Sequence, residues 1–233
     1  MRATTAITTL ALSVCATSLG AQSTTRHLRC LDRNYDYQLF SPDSPGTSRV
    51  PAILLLHGAG GTGAEFLQAW RALAVRHQVA LIAPQIPRTS WFEPIAPAVF
   101  RCIVEDAKRS SSLDPARIYV FGYSMGGYLA FDAAMLDSRY FAGAGVYAAA
   151  IADDFASIVD SAQRKIPLAL YIGTRDQFYS TSQVRRTRDL LPSHGFPVHY
   201  LELEGQDHSF DPVAERVTAD AWRYLSAVGS TAP

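Results

Sequence analysis

Short apolar runs alternate with longer amphipathic ones along most of this chain, and that alternation restricts the fold more than any other feature. Ala52 to Leu56 is a continuous Ile/Leu run, too short for a helix and followed by glycines, which predicts a strand buried on both faces. Phe66, Leu67, Trp70, Leu73 and Ala74 then recur at helical spacing. The same reading places strands at Val79–Ala83, Arg117–Phe121, Ala144–Ala148, Leu168–Ile172 and Val198–Leu203. Helices are expected at Val99–Lys108, Met125–Leu136, Ser182–Leu191 and Val213–Val228, with Asp114-Pro115 a turn ending the loop after the first of these. Such alternation predicts an α/β architecture, a mostly parallel central sheet with helices on both faces. Ala149 to Lys165 leaves room for one helix and no large lid domain. In open sheets of this kind ligands sit at the carboxyl ends of the strands. The residues just past each strand are therefore the ones to inspect.

The N-terminus sets the compartment. Met1-Arg2, an apolar and small-residue run to about Leu19, and small residues at Gly20-Ala21 read as an export signal over residues 1–21. Thr and Ser dilute that run below spanning hydrophobicity, so no stable membrane anchor is expected. A secreted or periplasmic protein follows, with residues 27–229 forming one domain. Lys plus Arg and Asp plus Glu both number 21, so the chain carries no net charge and offers no electrostatic case for binding nucleic acid or an anionic membrane. Small-molecule or neutral polymer partners stay open, and nothing sets an oligomeric state. Beyond the signal two cysteines are left, Cys30 and Cys102, and both a disulfide and two ordinary buried thiols remain open.

After the Arg117–Phe121 strand comes Gly122-Tyr123-Ser124-Met125-Gly126, followed by a helix. This is G-x-S-x-G in a strand–turn–helix setting, where the turn is too tight for side chains two residues either side of the serine. It would hold the Ser124 hydroxyl clear of the sheet, near the N-terminus of the following helix. The bland reading, a glycine-rich turn with a helix-capping serine, does not account for the strand and helix around it.

A serine hydroxyl is a poor nucleophile unless a base takes its proton. Among the six histidines, His208 alone lies beyond the carboxyl end of the last strand, on the same edge as Ser124. The base needs an acid to hold its tautomer. Asp176 lies just past Leu168–Ile172; Asp153 and Asp154, after the preceding strand, are the runners-up, and Asp207 is expected to face solvent. A tetrahedral oxyanion would need two backbone N–H donors, assigned to Met125, directly after the serine, and to Ala59, in the turn after Ala52–Leu56. Trp91-Phe92 is a candidate pocket lining, or else a hydrophobic plug over the core.

Gly58 to Gly63 also satisfies G-x-G-x-x-G, the pattern of a dinucleotide-binding oxidoreductase. The next strand, however, ends Ala83-Pro84-Gln85 without the acidic residue that would meet a ribose. H-E-x-x-H and paired-Cys motifs are missing too, so no cofactor and no metal is expected.

Taken together, His57-Gly58-Ala59-Gly60-Gly61, Asp114-Pro115-Ala116-Arg117, Gly122 to Gly127, Gly173-Thr174-Arg175-Asp176 and Asp207-His208 resemble the α/β-hydrolase superfamily over nearly all the mature chain. Within it the chain looks like the secreted polyhydroxybutyrate-depolymerase-like and feruloyl-esterase-like carboxylesterases. It departs from them at Ala59 and Gly60, where members often carry Cys and Gln. The resemblance implies the α/β-hydrolase fold and a Ser-His-Asp triad of Ser124, His208 and Asp176. It also implies cleavage of a small-molecule or polymeric carboxylic ester, with a serine peptidase or thioesterase as the alternative.

Overall fold

The computed structural model describes residues 23–42, 48–86, 97–151 and 157–229. The export signal expected over residues 1–21 lies outside them, as do Trp91, Asp153 and Asp154. Eight strands form one sheet: β1 (Thr24–Cys30), β2 (Arg33–Phe40), β3 (Val50–Leu56), β4 (Ala80–Pro84), β5 (Leu113–Tyr123), β6 (Gly143–Tyr147), β7 (Leu168–Gly173) and β8 (Val198–Leu203). Their spatial order is β1-β2-β4-β3-β5-β6-β7-β8, parallel from β4 through β8 and antiparallel at β1 and β2. The helices are α1 (Gly63–His77), α2 (Pro97–Ser110), α3 (Met125–Leu136), α4 (Ile158–Ser161), α5 (Thr181–Ser193) and α6 (Ala214–Gly229).

The apolar runs become the centre of this sheet because both of their faces are covered. Every residue of β3, β4, β6 and β7 is buried. Side-chain alternation then assigns the helices to faces. Phe121 of β5 points at Trp70 of α1, with ring centroids 4.7 Å apart, and Tyr119 points at Trp222 of α6. Phe121 pairs in register with Gly145, and Val146, one residue out of phase, meets Gly127 of α3. So α1 and α6 share one face and α3 lies on the other. The first of these, α1, starts at a capping box in which Thr62 and Glu65 satisfy each other's backbone N–H groups.

Two elements differ from the sequence reading. The turn expected at Asp114-Pro115 lies inside β5, where the register jumps from Val50↔Leu113 to Ala52↔Ile118. Asp114 accepts from Ala116 N and Arg117 Nε there, so the turn survives as a bulge that the strand absorbs. The hairpin β1–β2 extends the sheet before the first strand expected from sequence. Its two-residue turn is Leu31-Asp32, both at positive φ (47° and 62°).

Cys30, at the end of β1, and Cys102, in α2, form a disulfide, which settles the choice left open by the sequence. It closes 72 residues of sequence and ties the edge hairpin to α2. By loop-closure entropy a cross-link of that span contributes about 4 kcal/mol. Replacing both cysteines with alanine is expected to lower the thermal midpoint by roughly 10 °C in a scanning-calorimetry comparison. An unshifted midpoint would mean that the hairpin does not depend on the bridge.

Candidate active site

Strand β5 runs directly into Gly122-Tyr123-Ser124 and α3 begins at the next residue. The space allows nothing else. A Cβ on Gly122 would lie 1.9 Å from Gly126 O, and one on Gly126 would lie 1.9 Å from Leu56 O. Ser124 is forced to φ 55°, ψ −117°, a region that non-glycine residues rarely enter. Its amide donates to Tyr147 O at 2.9 Å, which anchors the strained residue to β6. The hydroxyl is thereby presented at the carboxyl edge of the sheet, where the first N–H groups of α3 have no intrahelical partner.

The three residues singled out from sequence meet at this edge. Ser124 Oγ is 2.9 Å from His208 Nε2, and His208 Nδ1 is 2.7 Å from Asp176 Oδ2. Asp176 Oδ1 accepts from the amides of Phe178 (2.8 Å) and Tyr179 (2.9 Å), and the carboxylate is fully shielded from solvent. With Asp176 acting as acceptor, Nδ1 of His208 donates to it and Nε2 is left to accept the serine proton. The loop carrying His208 is stitched to the loop carrying Asp176: Arg175 N donates to Gln206 O, and Gly205 N donates to Thr174 Oγ1. The Tyr147 hydroxyl donates to Ser209 O at 2.9 Å and Asp207 O at 3.3 Å. Burial, with Asp176 nearby, pushes the Tyr147 phenol far above its ordinary range, so it remains a donor. Rings of Tyr123, Phe178 and Tyr179 surround the imidazole.

The other histidines lie apart from this chain of contacts. His27 pairs with Asp36 on the exposed hairpin, His194 with Asp160, and His199 with Asp220. Asp207 accepts from Ser209 N in an exposed turn, as its expected solvent-facing position requires. Among the described residues, no group of three or more His, Cys, Asp or Glu side chains is arranged to hold a metal ion.

The glycine-rich turn after β3 abuts the serine. A Cβ on Gly58 would lie 3.4 Å from Ser124 Cβ and 2.9 Å from the Tyr123 ring. Ala59 is exposed on this turn, and Met125, directly after Ser124, opens α3. Gly63 is required by packing instead of by a phosphate: a Cβ there would lie 2.5 Å from Ala83 O. A cleft of about 770 Å³ opens beside the turn, with Phe66, Tyr123, Phe210, Glu65 and Asp211 among its lining residues.

His57 follows β3 directly and has a role that sequence alone does not show. It is a buried strut under the turn. Its Nδ1 donates to Gly58 O at 2.7 Å and its Nε2 accepts from Ile86 N at 3.0 Å. Only neutral imidazole satisfies both partners, and burial pushes the pKa below the ordinary 6.5. The folded chain therefore binds this proton less tightly than the unfolded chain. Stability from His57 is complete above pH 6.5 and is lost as pH falls from there through the lower folded value. Urea unfolding of the parent and of His57→Asn across pH 4 to 8 is expected to show a gap between them that narrows as pH falls; parallel curves would contradict this (about 6.5 being the unfolded value).

Known proteins share the fold that carries this site. A thermostable esterase of known structure superposes with a TM-score of 0.73 at 26% identity, covering 88% of this chain and 62% of that one. An S-formylglutathione hydrolase from Staphylococcus aureus shares the fold with a TM-score of 0.73 at 13% identity, over 88% of this chain and 98% of that one. Poly(3-hydroxyalkanoate) depolymerase C from Paucimonas lemoignei is 29% identical over 112 residues, 42% of this chain and 27% of the depolymerase. The chain thus spans only part of the length of the depolymerase and of the esterase. Residues 53–231 match the model of the alpha/beta hydrolase family, and the chain belongs to that family.

Proposed function

We propose that the protein hydrolyses carboxylic esters through an acyl-enzyme on Ser124. The observation that carries this reading is the continuous hydrogen-bond chain from Ser124 Oγ through His208 to Asp176. His208 Nε2 takes the hydroxyl proton as Oγ attacks the ester carbonyl, and Asp176 stabilises the imidazolium that results. The amides of Ala59 and Met125 donate to the oxyanion of the tetrahedral intermediate. As the intermediate collapses, the carbon–oxygen bond to the alcohol breaks and His208 returns its proton to the leaving oxygen. Water then attacks the acyl carbonyl by the same route, with His208 as base, and releases the acid and free Ser124.

Esters are favoured over amides and thioesters by the similarity to an esterase and to a polyester depolymerase. The cleft lined by Gly58, Ala59, Tyr123 and Ser209, residues adjoining Ser124 and His208 in the chain or in space, is where we place the ester substrate, small or polymeric. Export is supported by the signal-like residues 1–21 and by the Cys30–Cys102 disulfide, a bond that persists in oxidising compartments.

Ser124→Ala is expected to abolish turnover of short-chain p-nitrophenyl esters, with unchanged circular dichroism. His208→Ala should cost a comparable factor, because triad members act as a unit. Asp176→Asn should be milder, losing about 10³ to 10⁴ in kcat through the wrong imidazole tautomer. Activity within tenfold of the parent in Ser124→Ala would remove this reading.

A further inference from the structure

Four large apolar side chains stay exposed among the described residues: Leu31, Val75, Leu136 and Phe178. Phe178 differs from the other three in its setting. The residue is 68% exposed, yet its ring stands edge-on to the His208 imidazole with centroids 4.7 Å apart and planes at 62°. Nor is it loosely held. The Phe178 amide donates to Asp176 Oδ1 at 2.8 Å, and the neighbouring Tyr179 amide donates to the same oxygen. The backbone that bears this ring is fixed by the carboxylate that fixes the histidine.

The chemistry of the site says what lands there. If His208 is the acid that protonates the departing alcohol, the leaving oxygen must come within ~3 Å of Nε2. The first carbons of the alcohol then lie alongside the imidazole, within reach of whatever borders it. Tyr123 and Tyr179 border it as partly buried rings, and Phe178 borders it as an open apolar surface. Resting on the ester-hydrolase reading above, we propose that Phe178 binds the alcohol portion of the substrate and selects for apolar or aromatic leaving groups. A ring borne on backbone already pinned by Asp176, and in contact with the His208 imidazole, gives this selectivity without ordering a loop on binding.

A competing role for the same ring is to shield the His208–Asp176 pair from water, since the His208 side chain is only 12% exposed. Benzyl butyrate and methyl butyrate separate the two roles, because they yield the same butyryl-enzyme and differ only in the alcohol. In Phe178→Ala, the ratio of kcat/KM for benzyl over methyl butyrate should fall about tenfold, the loss of one apolar contact surface. Phe178→Leu should recover most of that ratio. The loss should be confined to acylation, so the decay of pre-formed butyryl-enzyme, followed in single turnover, should carry none of it. An unchanged ratio would overturn the proposal. Equal losses for both esters and for deacylation, with a displaced pH profile, would also overturn it and make Phe178 a shield acting through His208. Wild-type protein inert toward both esters would instead refute the ester-hydrolase reading itself, a result distinct from any change in the ratio.

Discussion

Three stretches of main chain come together around Ser124 with no room between them. Gly122 lies against Gly126, and Gly126 lies against the carbonyls of Leu56 and His57. Strands β3 and β5 must therefore be neighbours, and the turn after β3 must arrive beside the serine. Placing Ser124 and placing the glycine-rich turn are one event. The cost is a serine in a sparsely populated conformation, on the order of 1–3 kcal/mol. It is offset by a helix, α3, buried from Gly126 to Met135 on nearly every side, and by the hydrogen bond from Ser124 N to Tyr147 O.

Tyr147 links the two halves of the site. Its carbonyl holds the Ser124 amide, and its hydroxyl holds the loop that carries His208. Asp176 has a similar double attachment, with one oxygen on the imidazole and the other on the amides of its own turn. His57 plays the corresponding part under the β3 turn, with one nitrogen on Gly58 and the other on Ile86, two residues past β4. Ser124, His208 and the β3 turn are thus each held by a residue that is itself pinned, which is what keeps a site preorganised.

Much of this was legible in the sequence because burial on both faces leaves continuous apolar runs. The bounds of α3 and β8 match the pattern, and Ser124, Asp176 and His208 each fall just past a strand end, as the topology requires. The hairpin β1–β2 was not legible. Its strands, β1 at the sheet edge and β2 next to it, have about half their residues exposed, and the turn at Leu31-Asp32 lacks the Asn-Gly chemistry that marks such hairpins. The Cys30–Cys102 pairing was hidden for the same reason, since it depends on where β1 lies. The strut role of His57 leaves only a faint signal, a histidine ending an apolar strand before a glycine. Phe178 leaves none beyond its place two residues after Asp176, because its meaning comes from exposure and from a ring contact.

The central claim, that a single strained serine is the nucleophile, is tested most directly by where a mechanism-based label attaches. Treating the protein with an organophosphonate ester and mapping the adduct by peptide mass spectrometry should give one equivalent on Ser124, with activity lost in proportion to labelling. A stoichiometric adduct on a different residue, or full labelling of Ser124 with activity retained, would contradict the account.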